Sequence, residues 1–348
     1  MTLPQATPKP ETLERLWFTR CPVPTASGIA YKLGWLQDEF AADGLPIDTL
    51  QEARQLGHHH YDHQLPGLFR EGGNLPALAA RATGAPTRLI GLTWIEEWQT
   101  ILVRPDSNIR RPEDLRGKRL ALPAWGADRP GSIARAMSLH GYKGALASAG
   151  LGFDDVHLVE VALHDPLDAG SPQLGLQRLW SGLDPLARGE VDAVYVKGAA
   201  AADAARRLGL VVGIDLDALP DPRHRINNGT PRPITVHQRL LDEHFDLVTR
   251  FLAQTLRAAD WAAGNRDALN AILEDETRAC SQGVADAYRG DFHTTLAPDL
   301  SPQRLAFLDI QKTFLNLHGF LERDFDLADW VDHRPLQAAH DLLAQRRA

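Results

Sequence analysis

Three short pieces between Cys21 and Asn74 hold the residue types from which chemistry can be built. Cys21-Pro22-Val23-Pro24-Thr25 follows an apolar run and precedes a helical pattern. His58-His59-His60-Tyr61-Asp62-His63 crowds imidazoles into one turn, and Phe69-Arg70-Glu71-Gly72-Gly73-Asn74 sets an arginine beside two glycines. A thiol, an imidazole and a guanidinium near open backbone amides are equipment for attacking a small oxyanion. Two glycines before an N-capped helix let N–H groups approach an anion closely, and the helix dipole favours negative charge there. The planar fork of Arg70 fits a carboxylate, sulfinate or phosphate. The lysine and hydroxyl residue of a Walker loop are missing, and the bland alternative is a glycine turn with an exposed arginine.

Cys21 ends a strand pattern ahead of a helix, where ligands bind in open α/β sheets. Cys280 falls in a helical pattern and reads as a small buried hydrophobe. The histidine turn has three readings: a metal site on His58, His60 and His63, a solvated loop, or one histidine serving the thiol or a bound anion. No HExxH or other closed ligand set is present. The residues by themselves leave these readings open. Trp94, Trp98 and Trp125 lie near strand ends, where they are either core or the lining of an aromatic pocket.

These pieces need scaffolding. Leu16-Trp17-Phe18-Thr19 predicts a buried first strand, stopped by Pro22 and Pro24. Thr25 predicts an N-cap for a helix through Ile29, Leu33, Leu36 and Phe40. Strands follow at Leu45-Pro46-Ile47, Leu89 to Leu92 and Ile101 to Val103, with a helix from Asn74 to Gly84. The middle third alternates: a short helix and strand between Ile109 and Pro123, helices around Ser132 to Leu139 and Gly144 to Ala149, and a strand over Val156 to Val161. A helix over about 174–186, strands at Val191 to Val196 and Leu210 to Val212, and a helix from Ala199 to Leu208 complete it. That alternation predicts a parallel sheet covered on both faces. From His237 onward the pattern is helical, beginning with one long amphipathic helix through Leu240, Phe245, Val248, Phe251, Leu252 and Leu256.

At 348 residues the chain predicts two domains. Apolar content of 44% and charged content of 24% are ordinary for a globular protein. A formal net charge of −8 offers no basic face to nucleic acid or anionic lipid, so an anionic ligand must be held by local groups. No apolar signal region or membrane-length run is apparent, and the two cysteines lie far apart in sequence. The expectation is a cytoplasmic protein with free thiols.

Thr19-Arg20-Cys21-Pro22-Val23-Pro24 and Arg70-Glu71-Gly72-Gly73-Asn74-Leu75-Pro76-Ala77-Leu78 resemble the 2'-hydroxybiphenyl-2-sulfinate desulfinase family of dibenzothiophene desulfurisation. Gln99 also matches, and residues 109–123 are similar to sulfonate and nitrate solute-binding proteins. The resemblance implies an α/β, two-lobed type II periplasmic-binding-protein-like fold. Each lobe would be a mixed sheet flanked by helices, with extra helices at the C-terminus. Residues 1–103 with 214–348 would form lobe I, and 104–213 lobe II. The resemblance further implies that Cys21 is the essential thiol, Arg70 the sulfinate-binding arginine and Gly73 a backbone donor. The active-site histidine falls on His60 when the residues up to Arg70 align without a gap, which also matches Pro66; aligning Tyr61-Asp62 instead selects His58.

The expectation is therefore a catalytic set of Cys21, His60 and Arg70, with substrate contacts from Arg70, Gly72, Gly73, Gln99 and Trp125. It includes no metal and no cofactor. The reaction would be hydrolysis of the carbon–sulfur bond of a small-molecule aryl sulfinate, releasing sulfite and the arene, by a monomer without nucleic-acid or membrane partners. The alternative is a cytoplasmic binding protein for a sulfonate or similar organic anion, without catalysis.

Overall fold

The computed structural model describes residues 13–129, 131–163 and 180–347. Its first sheet has the order β2-β1-β3-β10-β4, formed by β1 (Leu16–Thr19), β2 (Ile47–Thr49), β3 (Leu68–Glu71), β4 (Thr87–Thr93) and β10 (Arg232–His237). β1 runs parallel to β2 and β3, while β10 returns antiparallel between β3 and β4. A second sheet, β8-β5-β9, joins β5 (Gln99–Val103) antiparallel to β8 (Val194–Lys197) and β9 (Val211–Asp215). β6 (Arg119–Pro123) and β7 (His157–Val161) pair in parallel, and a bridge from Leu120 to Ala193 ties them to the second sheet's connection.

The parallel sheet expected in the middle third is thus a mixed one, because β5 enters it from the other side and pairs antiparallel. β5, which ends at Val103, thus pairs with strands of the middle third, and β9 runs through residue 214. The chain crosses between the two groups of strands at 94–98 and again at 216–231.

Among the described residues, seven α-helices precede the last strand: α1 (Ala26–Lys32), α2 (Trp35–Ala41), α3 (His59–Asp62), α4 (Asn74–Ala82), α5 (Ile133–Ser148), α6 (Leu183–Ala187) and α7 (Ala199–Arg207). Of the helix expected over 174–186, residues 174–179 lie outside the described residues. α5 is continuous where two helices were expected. Its glycines signal close packing and not a break: a Cβ on Gly141 would stand 2.2 Å from the Tyr195 ring.

The long C-terminal helix is interrupted at His244, giving Gln238–Glu243 and then Phe245–Gly264. The latter is the buried pillar of the first sheet, with Phe251 stacked on Phe69 at 4.0 Å and tilted against Phe18 at 5.9 Å. Burying such an aromatic ring stabilises by about 1.5–3 kcal/mol, and these contacts pack the helix across the paired β1 and β3. No helix among the described residues is long and apolar enough to cross a membrane. Cys280 departs from its expected burial: it is exposed at the cap of Ser281–Ala287, its sulfur 3.2 Å from Asp203 Oδ1.

Candidate active site

β1 and β3 lie side by side in parallel, with Thr19 opposite Arg70, so the segments leaving their carboxyl ends emerge together. This register brings Cys21 to Gly73. The Gly73 amide donates to Cys21 Sγ at 3.4 Å, across 52 residues of sequence. Thr25 caps α1 by accepting from the Gly28 amide at 3.1 Å, and Gly73 itself is the N-cap of α4. Gly73 has a backbone conformation open to any residue. What requires glycine is space, since a Cβ there would stand 2.5 Å from the Asn228 side-chain amide.

Arg70 is fully buried behind this junction. Its Nε donates to the His60 carbonyl at 2.9 Å, and its Nη2 donates to the Gly73 carbonyl at 3.0 Å and lies 3.2 Å from His60 Nε2. A guanidinium only donates, so His60 Nε2 accepts, and the imidazole proton sits on Nδ1, 3.0 Å from Thr19 Oγ1. Burial first, then the Arg70 charge, hold His60 well below the usual imidazole range. It is a neutral, oriented ring. Burial pushes Arg70 itself down to about 10, against the favourable influence of Cys21. Its Nη1 has no hydrogen-bond partner among the described residues.

A cavity of about 230 Å³ opens against Cys21, His60, Tyr61 and Gly73. Ile133 and Met137 from α5, with Trp180 and Tyr288, supply apolar and aromatic lining. An apolar cavity of ~150 Å³ holds benzene, so this one has room for a ring with substituents.

Three charged residues of the lining, Arg232, Lys197 and Glu97, were missed by sequence reasoning, as was Tyr288 beside them. Arg232, at the start of β10, is 2% exposed, and its Nε has no hydrogen-bond partner among the described residues. Lys197, at the end of β8, pairs with Glu97 at 2.9 Å, both buried. The Tyr288 hydroxyl donates to Glu97 at 3.4 Å. None of these sits in a motif. Only the strand expected over Val191 to Val196, ending one residue before Lys197, hinted at any of them; the strand that carries Arg232 was not foreseen.

Several expected contacts fall elsewhere. Neither Arg70 nor Gly72 lines the cavity: both stand behind it, Gly72 so close that a Cβ would meet the His60 ring at 2.8 Å. Gln99 is committed to the scaffold, accepting from the Tyr195 hydroxyl at 2.7 Å and donating to the Arg225 carbonyl at 3.0 Å. Trp125 is 37% exposed and sits between Arg129 and Arg135, away from the cavity. Trp94 and Trp98 are core. The histidine turn divides, with His60 facing inward and His63 buried, its Nδ1 donating to the Tyr61 carbonyl at 2.9 Å. The trio His58, His60 and His63 is not brought together as ligands. Instead His58, His59 and Asp62 approach one another within 4.8 Å on the outer face.

The family described as NMT1/THI5 like matches residues 74–170. The chain is 28% identical to the 2'-hydroxybiphenyl-2-sulfinate desulfinases of Rhodococcus erythropolis and Rhodococcus qingshengii, over 91% of this chain and 91% of each relative. A crystal structure of a cysteine-to-serine mutant of DszB with biphenyl-2-sulfinic acid superposes with a TM-score of 0.71 at 25% identity, covering 95% of this chain and all of that one. The periplasmic aliphatic sulphonate binding protein SsuA of Escherichia coli gives 0.66 at 15% identity over 92% of this chain and 93% of its own, a likeness of fold. The chain therefore has the two-lobed fold of periplasmic binding proteins and resembles the desulfinases over nearly its whole length.

Proposed function

We propose that the protein is a desulfinase that cleaves the carbon–sulfur bond of an aryl sulfinate. The observation that carries this reading is the meeting of Cys21 Sγ and the Gly73 amide on one cavity wall, with neutral His60 beside them and the Arg70 charge directly behind. In the balanced reaction an aryl sulfinate and water give the arene and bisulfite. The C–S bond breaks, a C–H bond forms, and water supplies the third sulfite oxygen.

Cys21 has two ways to take part. Its thiol proton can pass to the ring carbon, so that the C–S electrons return to the ring and sulfur leaves as sulfur dioxide for hydration. Alternatively its thiolate attacks sulfur, the aryl group leaves with the C–S pair and takes a proton, and water hydrolyses the S–SO₂ adduct to thiol and bisulfite. In either route the Gly73 N–H and the buried positive charge stabilise anionic oxygen and sulfur in a site of low dielectric. His60, fixed by Thr19 and Arg70, positions Arg70 and excludes water without changing charge.

We place the active cleft between two lobes whose connections run through 94–98 and 216–231, in a cytoplasmic monomer. A second reading, a sulfonate-binding protein without chemistry, is favoured by the shared fold of SsuA. Sulfite release measured over a panel of aryl and alkyl sulfinates separates them: the desulfinase reading expects release from aryl members, and release from none would leave the binder. Intact-protein mass spectrometry of quenched turnover then distinguishes the routes through the presence or absence of an S–SO₂ adduct.

A further inference from the structure

The outward face of α3 carries three donor atoms that the proposed reaction does not use. His58 Nε2 lies 3.8 Å from Asp62 Oδ2, and His59 Nδ1 lies 2.8 Å from Asp62 Oδ1. The two imidazole rings lean together, their centroids 3.9 Å apart and their planes tilted by 40°. One ligating atom from each of the three residues falls within 4.8 Å of the others. Around a tetrahedral ion with bonds of about 2.0–2.2 Å, donor atoms stand roughly 3.3–3.6 Å apart, so small side-chain rotations complete the set.

The donors are also aimed. His58 Nδ1 lies 3.2 Å from the Gln55 carbonyl, which only accepts, so Nδ1 carries the proton and Nε2 keeps a lone pair. A metal-ligating histidine is oriented in this way, its other ring N–H donating to a backbone carbonyl. Asp62 is held from its own side, because Oδ1 accepts from the Gln64 amide at 2.9 Å as well as from His59. Ligation through His59 Nδ1 would move that ring's proton to Nε2 and leave the ring neutral. The side chains of His58 and Asp62 are 61% and 41% exposed, which leaves room for a water as fourth ligand. Two imidazoles and a carboxylate suit zinc, nickel or copper, whereas magnesium and calcium take oxygen ligands.

The inner side of the same helix belongs to the active site. His60 meets Arg70 and Thr19 there, and Tyr61 lines the cavity. A helix of four residues is too short to be stable by itself, and a clip from its cap His58 to Asp62 spans its whole length. We propose that His58, His59 and Asp62 form a binding site for a divalent ion of the zinc–copper series, and that the bound ion clamps α3 in the form that holds His60 and Tyr61 at the cavity. The ion takes no part in the chemistry, and the site stands whether or not the protein is a desulfinase.

Zinc chloride alone is the probe, in titration calorimetry of the full chain freed of metal by a chelator that is then removed. Cys21→Ser serves as the background, because a thiol beside His60 is the competing zinc site. Cys21→Ser should bind one zinc ion, and magnesium at the same concentration should give no heat of binding. Adding His58→Ala, His59→Ala or Asp62→Ala should weaken zinc at least about tenfold, since even outer partners of a metal ligand are worth that much. Zinc should also slow hydrogen exchange at the Asp62 and His63 amides, which donate to the His58 and His59 carbonyls. Equal zinc affinity with and without His58 and His59 overturns the proposal, and so does loss of binding through Cys21→Ser alone. Unchanged exchange at those two amides overturns the clamp. If a variant does not fold, the electron paramagnetic resonance spectrum of copper-loaded Cys21→Ser decides: coupling to two imidazole nitrogens supports the site, and fewer than two overturns it.

Discussion

The two walls of the cavity are built on opposite principles. On the Cys21 wall most donors are committed within the protein: Arg70 to His60 and Gly73, the Gly73 amide to the sulfur, and His60 to Thr19. On the Arg232 wall a buried guanidinium stands beside a buried lysine that pairs with Glu97. The first wall is organised for rigid placement of reacting groups. The second gathers buried charge from strands that are far apart in the chain.

The contrast can be broken most forcefully at Arg70. Arg70→Lys keeps the charge but removes the fork that ties His60 to Gly73. Loss of a charged hydrogen bond costs about 1.5–3 kcal/mol, so kcat/KM should fall about ten- to a hundred-fold. Steady-state kinetics showing unaltered turnover would mean the tie is dispensable.

Gly73→Ala attacks the same wall through space. The added methyl meets Asn228, whose Oδ1 accepts from the Leu75 amide at 2.9 Å, and overpacking of this kind costs about 1–3 kcal/mol. Denaturant titration should register that loss. A variant as stable as the wild type would show that Asn228 moves freely.

Acid should load the Cys21 wall, because its two buried histidines are held neutral. Burial, then Arg70, push His63 down to about 3. A depressed folded pKa means that stability is complete above the unfolded value of about 6.5 and falls as pH drops below it, by about 2 kcal/mol for this group at pH 5. Melts at pH 7 and pH 5 should differ accordingly, and His63→Gln should flatten the difference. A slope unchanged by His63→Gln would remove this group from the account.

The smallest effect belongs to the outward face of the same turn. His58→Ala and His59→Ala remove exposed or half-buried rings and should shift stability by no more than about 0.5 kcal/mol. Turnover by His58→Ala should remain as in the wild type. Its loss would move the active-site histidine from His60 to His58.

Much of the first wall was legible in the sequence for a physical reason. Cys21, His60 and Gly73 lie in short local patterns whose strand and helix boundaries are set by proline, threonine and glycine. The second wall was not, because Glu97, Lys197 and Arg232 come from separate strands and crossings and meet only through sheet pairing. Gln99 and Trp125 show the reverse error: a residue type suited to a pocket was drawn into the Tyr195 network or left between two arginines. α5 was read as two helices because a glycine's need for close packing looks, in sequence, the same as its tendency to end a helix.

The central claim is that one thiol turns an anion-binding cavity into a catalyst. It is tested most directly by Cys21→Ser, which preserves shape and polarity while replacing a thiol with a hydroxyl that ionises far less readily. Sulfite release and calorimetric binding would be measured together on wild type, Cys21→Ser and Cys280→Ser, using an aryl sulfinate that the wild type cleaves. The account predicts that Cys21→Ser still binds the sulfinate but releases no sulfite, whereas Cys280→Ser does both. Sulfite release from Cys21→Ser at the wild-type rate would contradict it.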